Sequence, residues 1–169
     1  MIDPTLEIWL DGLVGLQMFI ATYAADLRGF GFRLPGSLKQ DVEEWHIHLQ
    51  CCWRIESATK IITGSYDWYE SAKPGDDLAE DWKPTAGGSL QDFKLRSLFA
   101  VKNDEKGPLY NATEDLVVTD AQANPLGDLT IVLSGGYTLR VLPSGSRGEQ
   151  WRLFKRGDLD SHYVQEVSD

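Results

Sequence analysis

The chain is poor in the residues that build disulfide frameworks, zinc sites and membrane spans. Its 169 residues include two cysteines and three histidines, and the apolar run at 13–20 is too short to cross a bilayer. Cys51 and Cys52 are adjacent, and neighbouring strand residues point to opposite faces, which disfavours a disulfide between them. We therefore predict reduced thiols, no cofactor and a cytoplasmic protein.

Positive charge is scarce as well. Sixteen Lys and Arg stand against 26 Asp and Glu, a net charge of −10. Nucleic-acid binding depends on cations that neutralise phosphates, so this balance argues against it, and against an anionic membrane surface. It would attract a basic protein. No basic residue precedes Arg28, which is the wrong charge pattern for a signal peptide.

Catalytic signatures are also missing. The sequence has no phosphate-cradling glycine loop, no dinucleotide fingerprint and no G-x-S-x-G elbow. Asp158-x-Asp160-Ser161-His162 contains the residue types of a hydrolase triad, but in a purely local arrangement that is typical of a turn. A hydrolase centred on His162 is kept as a remainder, and the balance favours a protein that is not an enzyme.

The clearest pattern is the alternation from Glu43 to Glu56, which predicts one long β-strand. Its apolar face carries every second residue from Trp45 to Ile55. The opposite, polar face is expected to be exposed to solvent, to line a cavity or to meet a partner. The predicted ligand or partner residues on it are His46, His48, Gln50 and Arg54. His46 and His48 lie two residues apart and share this face, so a low-probability metal site is weighed there, although no later His completes it.

The rest of the chain predicts a mainly β protein of the α+β class, an antiparallel β-sandwich or partly open barrel formed by residues 1–169 as a single domain. Ser89 and Asp92 resemble a capping box and predict one short helix near 89–101. Residues 13–25 fit a helix or a strand, and the flanking glycines favour the strand. The other predicted strands are 6–10, 26–32, 60–67, 116–119, 129–133, 137–142, 150–154 and 162–167.

The stretch at 67–84 reads as a solvated acidic loop that also carries aromatic residues. Charged rims around Trp and Tyr are typical of binding hot spots, so we predict a partner loop made of Trp68, Tyr69, Asp76, Asp77 and Trp82. The favoured function is a non-enzymatic interaction module that binds a basic protein, in the manner of immunity proteins that neutralise a toxin. The alternative is a small-molecule or metal-binding β-domain that uses the His46/His48 strand face.

Five basic residues late in the chain are predicted to pair with the acidic loop or with the glutamates of the 43–56 segment. They are Arg140, Arg147, Arg152, Lys155 and Arg156.

Three short motifs carry a family resemblance across most of the chain. His48-x-Gln50-Cys51-x-Trp53-Arg54-Ile55, Gly64-Ser65-x-Asp67 and Trp151-Arg152-Leu153 stand in an order that resembles a small uncharacterised bacterial protein family. That family has an H-x-Q-C-x-W-R-I strand, a G-S-x-D turn and a late W-R-L strand, often with Pro at the position of Cys52. The resemblance implies a bacterial, cytoplasmic protein and a shared fold, and it implies no reaction.

Overall fold

The computed structural model describes residues 3–24, 27–37, 42–76, 81–102, 107–158 and 162–167. These ranges contain two α-helices and eleven strands in two antiparallel sheets. The helices are α1 (Pro4–Leu13) and α2 (Leu90–Leu98), and a 3-10 helix covers Ser65–Tyr69. None of the described helices is long and apolar enough to cross a membrane.

The larger sheet has six strands in the order β11-β10-β3-β2-β1-β6. Its strands are β1 (Gln17–Ala24), β2 (Leu27–Arg33), β3 (Trp45–Leu49), β6 (Leu109–Tyr110), β10 (Gly148–Lys155) and β11 (His162–Val167). The smaller sheet has five strands in the order β5-β4-β9-β8-β7. Its strands are β4 (Cys52–Ser57), β5 (Ile61–Gly64), β7 (Val118–Ala123), β8 (Leu129–Leu133) and β9 (Tyr137–Leu142).

Side chains from both sheets enter one core cluster, as in a sandwich, and the sheets do not close into a barrel. The mainly β, α+β sandwich predicted from the alternating segments is therefore confirmed. Strands β8, β9 and β11 have the predicted limits, and Gly135 and Gly136 make the β8–β9 turn with positive φ angles of 78° and 82°. Because that region favours glycine, a Gly-Gly pair between two alternating segments is typical of a hairpin turn.

The segment from Glu43 to Glu56 is two strands, and the prediction of one long strand is wrong. Strand β3 pairs with β2 and β10, while β4 pairs with β5 and β9 in the other sheet. The chain crosses between the sheets at Gln50 and Cys51. The predicted apolar face is nevertheless correct at Trp45, Ile47, Leu49, Trp53 and Ile55, which are all buried. Cys51 has the same parity and was predicted to lie in the core, but it is only partly buried. Both sheets face the same core, so the alternation continues through the bend and conceals it.

The strand predicted at 6–10 is a helix, α1. Asp3 caps it by accepting a hydrogen bond from the Thr5 amide at 2.8 Å, and Pro4 occupies the first turn. Both are helix-start signals. The buried residues Leu6, Leu10 and Leu13 follow the helical spacing of four and three residues. The prediction of a strand is wrong because five residues, Leu6 to Leu10, are too few to distinguish a period of two from the helical period.

The region at 13–25 is a strand over Gln17–Ala24, as predicted, while Leu13 is the last residue of α1. The predicted helix near 89–101 is also confirmed. Ser89 caps α2 by accepting a hydrogen bond from the Asp92 amide at 3.2 Å. The predicted strand at 60–67 ends early, at Gly64, where the 3-10 helix begins.

Helix α1 packs so closely on the larger sheet that Gly12 has no room for a side chain. A Cβ there would lie 2.4 Å from Cη2 of Trp45. The indole is held by a 2.7 Å hydrogen bond to Glu43 and by the edge of Trp9, with ring centroids 5.1 Å apart.

We expect Gly12→Ala to lower the free energy of unfolding by about 1–3 kcal/mol in urea denaturation, although alanine is the better helix former.

Ile8 of the same helix is the matched control, because its side chain is 72% exposed. Ile8→Ala should change stability by no more than about 0.5 kcal/mol. A Gly12→Ala variant as stable as the wild type would show that the indole moves freely.

Candidate functional site

The two histidines of the predicted ligand face lie on the outer side of the larger sheet. The ring of Phe154 in β10 contacts both imidazoles. It stacks on His46 with ring centroids 5.6 Å apart and meets His48 edge-on with ring centroids 4.7 Å apart. On the other side, β2 presents two glycines. A Cβ on Gly31 would lie 2.9 Å from His46, and one on Gly29 would lie 3.2 Å from His48. The glycines therefore allow both imidazoles to lie down on the sheet.

This packing changes the protonation of both imidazoles. Burial lowers the pKa of His46 from its ordinary value, and Glu44, 3.4 Å from Nε2, opposes the shift. Burial also lowers the pKa of His48, helped by His46 and Arg152. Both rings are therefore neutral near pH 7, the state that can coordinate a metal. Within the described part of the chain, no group of three His, Cys, Asp or Glu side chains is arranged to hold a metal ion.

Arg54 does not join the histidines. It belongs to β4 in the smaller sheet, where it contacts Glu56 at 2.6 Å, and Arg140 of β9 contacts the same carboxylate. The hydrogen bond from Arg140 and, to a smaller extent, that from Arg54 hold the pKa of the Glu56 carboxyl below its ordinary value. The predicted polar face is thus divided between two sheets, with the exposed Gln50 at the crossing.

The predicted partner loop is also divided. Trp68 is half-buried and its ring lies 5.7 Å from that of Tyr23, whereas Tyr69 and Asp76 are exposed. Trp82 is partly buried, and Asp77 lies outside the described residues.

Two residues of the local motif with hydrolase residue types, Asp160 and Ser161, also lie outside the described residues. His162 opens β11, paired with Phe154.

A pocket of about 270 Å³ opens where the chain crosses between the sheets. Its lining combines residues that were predicted to belong to two different surfaces, namely Gln50 of the polar face with Trp68 and Tyr69 of the partner loop. Cys51 and Cys52 also line it, and both thiols are free. Burial raises the pKa of the Cys51 thiol to about 12, so it is protonated and a poor nucleophile near pH 7.

Arg28 is the most unusual residue of this pocket, because only 2% of it is exposed. Its Nη2 contacts Asp92 at 2.9 Å, and its Nε donates to Gln91 at 2.8 Å. Its guanidinium carbon also lies 5.7 Å from the ring centre of Tyr23 and 5.9 Å from that of Trp68. Burial lowers the pKa of Arg28, and Asp92 opposes this shift. Removing one partner of such a buried pair would leave the other charge uncompensated.

The start of α2 holds this arrangement in place. Asp92 uses its second oxygen to accept a 2.7 Å hydrogen bond from the Gly87 amide, while Gln91 donates through Nε2 to the Gly64 carbonyl at 2.9 Å. The Gln91 side-chain oxygen also accepts from Nη2 of Arg28. The side chains of Asp92 and Gln91 are thus each held by a second hydrogen bond, to Gly87 and Gly64. Together they fix the orientation of the Arg28 guanidinium.

Sequence reasoning missed Arg28 as a site residue, although a signal was present. In Leu27 to Arg33, Arg28 has the same parity as Phe30 and Phe32, which are fully buried. A charged residue on the apolar parity of a strand predicts a buried, paired group. Its partners could not be found in this way, because Gln91 and Asp92 lie more than sixty residues away on a helix.

The packing of the histidines predicts a pH dependence of stability. Since their pKa values are lower in the folded chain than the usual value of about 6.5, the unfolded chain binds more protons below that pH. We expect the free energy of unfolding to fall as the pH is lowered from about 7 to about 5.5. Urea denaturation at several pH values measures this. The slope should be smaller in the His46→Gln/His48→Gln variant, and equal slopes would contradict the assignment.

Comparison with known proteins finds no match among protein-family models, curated proteins or solved structures. The resemblance to the bacterial family with the H-x-Q-C-x-W-R-I strand stays a prediction. The functional argument therefore depends on the residues of this chain alone.

Proposed function

We propose that this protein is a non-enzymatic interaction module, in the manner of an immunity protein, which binds a basic protein partner. The observation that carries the proposal is the exposure of two aromatic side chains on the 3-10 helix. Tyr66 is 77% exposed and Tyr69 is 59% exposed. Large aromatic side chains of this kind are the commonest anchors of protein interfaces.

The tyrosines stand on a firmly held support. Asp67, between them in sequence, accepts hydrogen bonds from the Thr63 hydroxyl at 2.8 Å and from the Gly64 amide at 3.3 Å. The Glu70 carbonyl accepts a 2.7 Å hydrogen bond from the Leu90 amide, which ties the end of the 3-10 helix to α2. A rigid support loses little conformational entropy on binding, which favours affinity.

Two further apolar side chains are exposed on the elements that contact this helix. Ile61 of β5 is 58% exposed and Phe93 of α2 is 57% exposed. We refer to the exposed side chains of Tyr66, Tyr69, Ile61 and Phe93 as the apolar surface. Exposed apolar residues of neighbouring elements, rimmed by charge, are typical of a docking site.

The chain segment that begins within the apolar surface carries a net negative charge. Residues 67–84 contain six carboxylates and two lysines, and among them Glu70, Asp76 and Asp81 are exposed. Together with the net charge of −10, this favours a basic partner and would speed its association at low salt.

The test is capture of a partner from native lysate by the wild-type chain, followed by measurement of the affinity for that purified partner. We expect a basic protein whose affinity falls more than about tenfold with Tyr66→Ala/Tyr69→Ala, since hot-spot aromatics contribute about 2 kcal/mol or more each. Leu126→Ala is the matched control, because Leu126 is 77% exposed in the turn between β7 and β8. Failure to recover a specific partner at moderate salt, or an unchanged affinity of the double variant, would contradict the proposal.

A metal-binding role for the His46/His48 face is the second candidate, favoured by the neutral state of the two imidazoles. If the face binds a metal, then Zn²⁺, Ni²⁺ or Mn²⁺ should raise the melting temperature of the wild type but not that of His48→Gln. Elemental analysis without stoichiometric metal, together with no thermal shift, would reject this role.

A further inference from the structure

We propose that the pocket between the two sheets binds a small aromatic carboxylate, anchored by the guanidinium of Arg28. This site is separate in kind from a protein-docking surface, although Tyr66 and Tyr69 line its edge. The inference therefore goes beyond the proposed partner binding and is tested independently of it.

The first argument is an unpaired donor. Nη1 of Arg28 is shielded from solvent and has no hydrogen-bond partner among the described residues. An unsatisfied buried donor costs about 1–3 kcal/mol, and more when it carries charge. The other nitrogens of the guanidinium are bound to Gln91 and Asp92, so Nη1 cannot turn away to find another partner. Arg28 lines the pocket, and a ligand acceptor that reaches Nη1 by shifting the side chains that shield it would remove this cost.

The second argument is the charge of the pocket lining. Among the described residues that line the pocket, Arg28 is the one that carries a charge, and none of them is a carboxylate. Asp92 balances Arg28 from the side of α2 but is itself occupied by Arg28 and the Gly87 amide. An ionised acceptor makes shorter and stronger hydrogen bonds than a neutral one. The chemistry of the lining therefore selects a carboxylate in preference to an amide or an ammonium group.

The third argument concerns size and shape. A pocket of about 270 Å³ lies just below the range of drug-sized ligand sites, which start at about 300 Å³. Its walls include the aromatic rings of Tyr23, Trp53 and Trp68. Such walls favour a flat, apolar body, and the tilted Tyr23–Trp68 pair is suited to packing against a ring. A ligand with one aromatic ring and one carboxylate satisfies both the walls and the anchor.

The overall charge of the chain narrows the ligand further. A net charge of −10 opposes the approach of a polyanion, so a dinucleotide or a polyphosphate is disfavoured. A monocarboxylate meets little repulsion and gains its affinity at short range from Arg28. At the outer end of the pocket, Ser144 and Gln50 are exposed and offer polar groups to a ring substituent.

Benzoate is the probe, and benzamide is its neutral counterpart of the same shape. Titration of the full chain is followed by ligand-observed NMR and by tryptophan fluorescence, which reports directly because Trp53 and Trp68 line the pocket. We expect saturable benzoate binding and an affinity for benzamide at least about tenfold weaker, a difference of about 1.4 kcal/mol. Equal affinities for the two probes, or no saturable benzoate signal up to about 10 mM, would overturn the proposal.

Two variants test the anchor and the pocket separately. Arg28→Met/Asp92→Asn removes the charges of the buried pair together, so that neither is left unpaired, and should weaken benzoate binding at least about tenfold. Arg54→Met is the matched control, because Arg54 lies on the outer face of the smaller sheet. Benzoate affinity that survives in the folded double variant would show that Arg28 is not the anchor.

Ser144→Trp keeps the inference testable if the double variant fails to fold. Ser144 is exposed and lines the pocket, so a large side chain there should block entry without disturbing the core. We expect a loss of benzoate binding at an unchanged melting temperature. Ser146→Trp is the control, because Ser146 is exposed in the same loop outside the pocket lining. Equal benzoate affinity in both variants would place the binding outside this pocket.

Discussion

The fold depends on a single segment that passes from one sheet to the other while keeping one face in the core. Strands β3 and β4 are separated only by Gln50 and Cys51, so the two sheets are joined directly at this edge. Each strand is central or near-central in its own sheet, because β3 lies between β2 and β10 and β4 lies between β5 and β9. The pocket opens at this crossing and is lined by Leu49, Gln50, Cys51 and Cys52.

The corner contains a buried ion pair, Arg28 and Asp92, instead of apolar packing. Buried pairs of this kind seldom stabilise a fold as much as hydrophobic residues of the same volume. The pair connects β2 of the larger sheet to α2, which in turn contacts the 3-10 helix. The same constraint orients the guanidinium towards the pocket residues and presents the tyrosines on a fixed support. One interaction thus relates both candidate surfaces.

The basic residues late in the chain have a mainly structural role where their partners are described. Lys155 contacts Glu43 at 3.1 Å, Arg156 contacts Glu44 at 2.8 Å, and Arg140 contacts Glu56. The predicted pairing with the glutamates of the 43–56 segment is confirmed for these three and is wrong for Arg152, which contacts Glu149 three residues earlier in the chain. Such partly exposed pairs contribute about 1 kcal/mol or less each. None of these three pairs uses a carboxylate of residues 67–84.

Local pattern determined much of this fold, because burial of one strand face imposes a period of two that can be read directly. It identified the core side chains from Trp45 to Ile55, the limits of β8 and β9, and the cap of α2 at Ser89. It could not identify the bend at Gln50, since both sheets share one core and the alternation does not change there. It also could not assemble the pocket, because Arg28, Trp68 and Gln91 meet only when distant segments pack together. The net charge could therefore be read from the sequence alone. The exposure of Tyr66 and Tyr69, and the place where the Arg28 guanidinium with its one unpaired nitrogen lines an aromatic cavity, were decided by the tertiary structure.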